Sequence, residues 1–227
     1  MNRENLRKKV SIMGKYVVID LEMCKVAKGQ RKEYPMRNEI IQIGAVLMDE
    51  HLNVTKRFNC YVKPEYGWID PFIERLTGID QSKVQDAPRL LEALQTFFRW
   101  LPEEDIMAVS WSLSDKYQFA KELAAKGIVM ERMTELLNSW VDCQKTFTEK
   151  VKGIKAYSLF EALNATDIPG EGRAHDGLSD AYNTALLFAK MEREETLVLN
   201  PYYEVAFREE DEAVLGFSLG ELMECFN

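Results

Sequence analysis

Several features that mark large protein classes are scarce or missing in this sequence. Four cysteines, Cys24, Cys60, Cys143 and Cys225, are spread over 227 residues with no Cys-x-x-Cys pair. That spacing argues against a zinc ribbon or a disulfide scaffold and suits a reducing cytoplasm. Nowhere do about eighteen apolar residues run together, so no membrane-spanning helix is expected. The polar, basic opening MNRENLRKKV is not followed by the apolar stretch of a secretory signal. Positive charge is also short: 29 Lys and Arg stand against 37 Asp and Glu, a formal net charge of −8. A protein that coats nucleic acid through its phosphates needs clustered cations, so that class is disfavoured. Internal repeats and low-complexity tracts are absent.

What remains is a chain with 46% hydrophobic residues, enough to bury a core in one domain with modest extensions. Apolar β-branched runs predict strands at 16–19, ending at Asp20, at 40–47, and at 57–62 before Lys63-Pro64. Helical spacing follows, with a start at Asp86-Ala87-Pro88 and an apolar face of Leu90, Leu91, Leu94, Phe97 and Phe98. A fourth strand is expected at 106–111, a helix from Ser114 to Ala125 closed by Gly127, and a short fifth strand at 140–143. Helices near 144–151 and 157–164, a glycine-rich loop at 169–177 and a helix over 177–192 complete the pattern. This order implies an α/β domain with a mixed sheet, antiparallel in its first three strands and parallel later. The expected division is a basic extension over 1–13, a domain over 14–192, and an acidic, aromatic extension over 193–227. That last stretch holds Tyr202, Tyr203, Phe207 and a charge run at 208–212, and Ser218 with Glu221 form a capping box for a short terminal helix. It is a candidate surface for a protein partner.

Three short patterns carry chemistry. In Asp20-Leu21-Glu22 the two carboxylates are two apart on a strand and share a face, which is costly without a cation. Hard oxygen donors on a rigid strand suit Mg²⁺ or Mn²⁺. Taken alone, the pair also reads as a loop cap beside a solvated acid. Asp115 stands where a strand gives way to a helix, a place where carboxylates often serve only as caps. His175-Asp176-Gly177-Leu178-Ser179-Asp180 lies between the glycine-rich loop and a helix. Residues five apart on one helix point about 140° apart, so His175 must come from the loop if it is to meet Asp180. Gly170, Gly172 and Gly177 permit such a path. His51, the other histidine, sits in an expected hairpin turn.

Together, Asp20/Glu22, Asp115 and His175/Asp180 resemble the three motifs of the DEDDh exonucleases of the RNase H-like superfamily. The resemblance covers roughly residues 14–192 and extends to Glu39-Ile40-Ile41-Gln42-Ile43-Gly44-Ala45, to Leu76-Thr77-Gly78-Ile79, read as a loop, and to Trp111. The wording VVIDLEMC, NEIIQIGAV, LTGI and HDGLSDAYNTA is similar to the histone-mRNA and small-RNA 3′-end branch. Two positions depart from the family pattern: Ser179 stands where many relatives have an acid and Met23 where a small residue is usual, and neither change removes a metal ligand.

The resemblance implies an RNase H-like fold and a two-metal 3′–5′ exonuclease that releases nucleoside 5′-monophosphates from single-stranded 3′ ends, with RNA favoured over DNA. It implies Asp20 bridging two Mg²⁺ ions (Mn²⁺ substituting), Glu22 and Asp180 serving the ion beside the water, Asp115 supporting the second, and His175 accepting the proton. Imidazole suits that step because it ordinarily titrates near pH ~6.5. It also points to Met23, Cys24, Leu76, Thr77, Ile79 and Trp111 as contacts for the terminal nucleotide, through stacking and through backbone groups at Met23 and Cys24. Two other classes stay open on the sequence. One is a cysteine hydrolase with Cys24 as nucleophile. The other is a regulatory module that uses the fold as an interaction surface.

Overall fold

A computed structural model describes residues 14–153 and 155–203. The basic extension, Phe207, the run at 208–212 and the helix expected near Ser218 and Glu221 lie outside the described residues. Strand β1 (Lys15–Val26) forms from KYVVIDLEMCKV, β2 (Asn38–Met48) from NEIIQIGAVLM and β3 (Val54–Tyr61) from VTKRFNCY. β-branched and aromatic side chains fit such pleated, half-buried surfaces. A two-residue strand, β4 (Gly67–Trp68), pairs with the end of β1. With β5 (Ile106–Ser110) and β6 (Trp140–Asp142), they build a six-stranded sheet ordered β3-β2-β1-β5-β6. The β1–β2 and β2–β3 ladders are antiparallel, and β1–β5 and β5–β6 are parallel. The mixed sheet expected from the sequence is therefore present.

Eight helices are described: α1 (Pro71–Thr77), α2 (Gln81–Gln85), α3 (Leu90–Trp100), α4 (Ser114–Ala125), α5 (Glu131–Asn138), α6 (Cys143–Val151), α7 (Leu159–Ala165) and α8 (Gly177–Arg193). Side-chain alternation divides the core in two. Val17, Ile19 and Leu21 face Leu94 and Phe97 of α3, Phe119 of α4 and Met133 of α5. Tyr16 and Val18 face the opposite layer, with Phe147 of α6, Leu163 of α7 and Ala185 and Phe188 of α8.

Three expectations need correction. Strand β1 does not end at Asp20, because β2 pairs with it from Tyr16 to Lys25 and β4 takes over at Lys25 and Val26; Asp20 and Glu22 are thus held inside a strand. Leu76 and Thr77 belong to the last turn of α1 rather than to a loop. Asp70 accepts the Ile73 N–H at 2.8 Å, Pro71 opens the helix and Gly78 closes it at φ 72°. Helix α3 begins at Leu90, not at Pro88, since the Pro88 carbonyl accepts the Lys63 N–H as the chain leaves β3.

Glu39 is fully buried and accepts N–H groups from Glu65, Tyr66 and Gly67 at 2.7, 2.8 and 2.6 Å and the Lys126 ammonium at 2.7 Å. This satisfied carboxylate ties the β3–α1 connection to the sheet. Beyond α8, Leu197 is buried in the second layer and Asn200 donates its N–H to the Ala165 carbonyl at 2.7 Å, so residues 194–203 pack against the same core. Among the described residues no helix is long and apolar enough to cross a membrane.

Candidate active site

Asp20 and Glu22 continue the alternation of Tyr16 and Val18, so they point toward the layer that contains α8. Asp20 is paired in register with Gly44 and Glu22 with Gln42. At Gly44 the start of α8 comes against the sheet so closely that a Cβ there would overlap the Gly177 carbonyl carbon and the Leu178 nitrogen. Gly177 in turn leaves only 3.1 Å between a would-be Cβ and the Asp20 carbonyl oxygen. Two glycines on different elements therefore let the helix descend beside Asp20. Gln42 fixes the contact: its Oε1 accepts the Gly177 N–H at 3.0 Å and its Nε2 donates to Asp176 Oδ2 at 3.2 Å.

Asp176 caps α8 by accepting from the Ser179 N–H at 3.0 Å and hydroxyl at 2.9 Å. His175 precedes the helix in the left-handed region, φ 61°, and its backbone N–H donates to Asp180 Oδ2 at 2.9 Å. The turn solves the angular problem that a continuous helix would pose. Donor atoms of Glu22, His175 and Asp180 lie within 4.8 Å of one another. Asp115, in the first turn of α4, comes from the other side of β1 and accepts the Leu21 N–H at 3.1 Å.

The electrostatics report a site short of positive charge. Burial first, then Asp115, Asp180 and Glu22, pushes the Asp20 carboxyl well above the ordinary range. Glu22 is raised to about 8 by burial and then by Asp180 and Asp115. Burial raises Asp115 to about 7, against the lowering effect of the Leu21 N–H, and burial raises Asp180 as well. The leading charges acting on Asp20 and Glu22 are all acidic, the condition that a bound dication relieves. Clustered hard oxygens with one imidazole fit a hard divalent cation and give a softer metal no thiolate.

The remaining sequence candidates are placed unevenly. Met23 and Leu76 are partly open. Thr77 is buried, and its hydroxyl donates to the Ile73 carbonyl at 2.9 Å and accepts the Ile79 N–H at 3.0 Å. Ile79 and Cys24 pack with Ile41, Ile73 and Val84. Trp111 is buried against Phe147 and donates its indole N–H to the Tyr157 carbonyl at 3.1 Å. Its side chain is core rather than a stacking surface. Cys24 is fully buried in its apolar cluster with Ile79, and burial pushes its thiol up to about 12; both count against the cysteine-hydrolase alternative, which needs an accessible thiolate. His51 is exposed in the β2–β3 turn. Sequence reasoning missed Gln42 and Asp176 as positioning groups. The signal for Gln42 was a lone amide inside the run Ile40-Ile41-Gln42-Ile43.

A mixed sheet that gathers acids from β1, α4 and α8 beside a loop histidine defines the RNase H-like exonuclease architecture. The chain belongs to the exonuclease family, whose model matches residues 17–188, and its motifs are of the DEDDh type. ERI1 exoribonuclease 2 of Mus musculus is 30% identical over 203 residues, covering 80% of this chain and 29% of that protein. The 3′-5′ exonuclease Snipper of Drosophila melanogaster is 28% identical over 193 residues, covering 74% and 67%. The nuclease domain of 3′hExo, a DEDDh family member bound to rAMP, has the same fold, with a TM-score of 0.68 at 22% identity over 84% of this chain and 98% of that one. This chain therefore spans under a third of the mouse relative's length.

Proposed function

We propose that this chain is a divalent-metal-dependent 3′–5′ exonuclease that removes nucleoside 5′-monophosphates from single-stranded nucleic acid, with RNA favoured over DNA. The observation that carries this is a group of acids, Asp20, Glu22, Asp115 and Asp180, that burial raises in pKa, Asp20 and Glu22 further through their acidic neighbours, with donor atoms of Glu22, Asp180 and His175 within 4.8 Å of one another. A purely structural cleft gains nothing from that arrangement. The RNA preference is supported by the similarity to a relative named as an exoribonuclease.

Asp20, Glu22, Asp115 and Asp180 would hold two divalent ions, Mg²⁺ or Mn²⁺. When bound, such ions supply charge neutralisation and Lewis acidity for the scissile phosphate. His175 accepts a proton from the water whose oxygen attacks phosphorus, and the bond from phosphorus to the 3′ oxygen breaks. The Asp180 contact to the His175 backbone holds the imidazole's loop in place. Met23 and Leu76, partly open, are suited to flank the terminal nucleotide, while their neighbours Cys24, Thr77 and Ile79 are buried and Trp111 is buried in the second apolar layer.

The test is degradation of 5′-labelled single-stranded RNA and DNA with Mg²⁺ or Mn²⁺, beside EDTA and Asp20→Asn. A ladder shortening from the 3′ end, lost in both controls, is the expected result. No cleavage of either polymer by folded, metal-loaded protein would favour the regulatory-module reading instead.

A further inference from the structure

The loop that carries His175 is anchored at several points, most of them to α8 or the sheet. Glu171 exchanges two hydrogen bonds with Asn183 of α8, at 2.8 and 3.1 Å. Gly172, at φ 73°, lies so near Ser179 that a Cβ would overlap its hydroxyl. His175 and Asp176 are held by Asp180 and Gln42. Arg173 does something different, because its side chain leaves α8 and crosses to α1. Its Nη2 donates to the Arg75 carbonyl and, at 3.4 Å, to the Leu76 carbonyl. Its Nη1 rests on Gly78, where a Cβ would overlap it.

The chemistry of this contact is specific. The last turn of a helix leaves carbonyls without intrahelical partners and carries partial negative charge, both of which a guanidinium satisfies. Arg173 is therefore a cap for α1 supplied from 97 residues away in sequence. The helix end that it caps carries the partly open Leu76, and the loop that it belongs to presents His175 two residues on. Gly78 has a double duty: it closes the helix in the left-handed region and leaves bare the surface that the guanidinium covers.

We propose that Arg173 is a positioning residue that locks the His175 loop to the C-terminal end of α1, so that one contact sets the distance between the proton acceptor and the groups flanking the polymer end. The proposal rests on the assignment of His175 as base. In its absence the loop keeps its anchors on α8 while its span to α1 becomes variable. Small displacements of a positioned group lower turnover more than binding.

Arg173→Ala, Arg173→Lys and His175→Ala are compared with the unaltered chain by hydrogen–deuterium exchange with Mg²⁺ and by kcat and KM on single-stranded RNA. For Arg173→Ala we expect faster exchange in both 71–79 and 171–177, an unchanged melting temperature, and kcat lowered by about 10- to 100-fold with little change in KM. Arg173→Lys restores a cation to the helix end without the fork, and should recover part of both effects. Unchanged exchange in 71–79 would overturn the proposal, since no lock would exist. A raised KM with unaltered kcat and a weaker salt dependence would also overturn it, by making Arg173 a phosphate contact. Wild-type turnover in His175→Ala would instead remove the base assignment, and the exchange data would still decide whether the lock exists.

Discussion

Glu22 and Asp115 hold their protons to about 8 and about 7, far above free carboxyls, because each is buried and Glu22 also faces other acids. The unfolded chain releases those protons near pH ~4. Between that value and the folded pKa values the folded state binds more protons than the unfolded state, so stability falls as pH rises through the window. Thermal melts in EDTA should therefore show a melting temperature that declines from about pH 5 to about pH 8, with a shallower decline for Glu22→Gln. A flat or rising profile would count against the shared burial of these acids. At this scale the sequence marked the four acids and His175, which the fold brings together, as candidates, since motif spacing survives in one dimension. It did not show Gln42, whose role depends on a partner 135 residues away, nor that Trp111 is enclosed by α6 and the chain before α7.

Among the elements, the approach of α8 to β2 does most to assemble the site. Gly44→Ala would push a methyl group into the Gly177–Leu178 backbone, and overpacking of this kind costs on the order of 1–3 kcal/mol. Because the displaced turn carries His175 and Asp180, activity should fall further than stability. Gly29→Ala is the control, as a Cβ there meets nothing within 4 Å. Chemical denaturation and turnover of the two variants check this, and equal effects would refute it. Helix α4 was legible from Ser114 to Ala125 because strand residues and then Gly127 bracket it. Helix α1 was not, because seven residues give too little periodicity; the local signals it carries are its caps, Asp70-Pro71 and Gly78, and these were not read as a helix.

For the whole molecule, the two apolar layers share β1 and β2, so a dication bound at Asp20 and Glu22 should stabilise both layers together. Saturating Mg²⁺ or Mn²⁺ should raise the melting temperature and flatten its pH decline, with a gain of about 2.7 kcal/mol when the free ion is 100-fold above its dissociation constant. A melting curve indifferent to either ion would contradict the assignment of the acids as ligands. The class of fold, the order of strands and helices across most of the domain, and the residues of the three motifs were legible in one dimension, because local periodicity and spacing encode these directly. Packing in three dimensions settled which apolar candidates are partly exposed, where β1 ends, and how Gly44, Gln42 and Arg173 hold α8 and its preceding loop in place. Those depend on contacts between segments far apart in the chain, and burial there is a property of packing rather than of residue type.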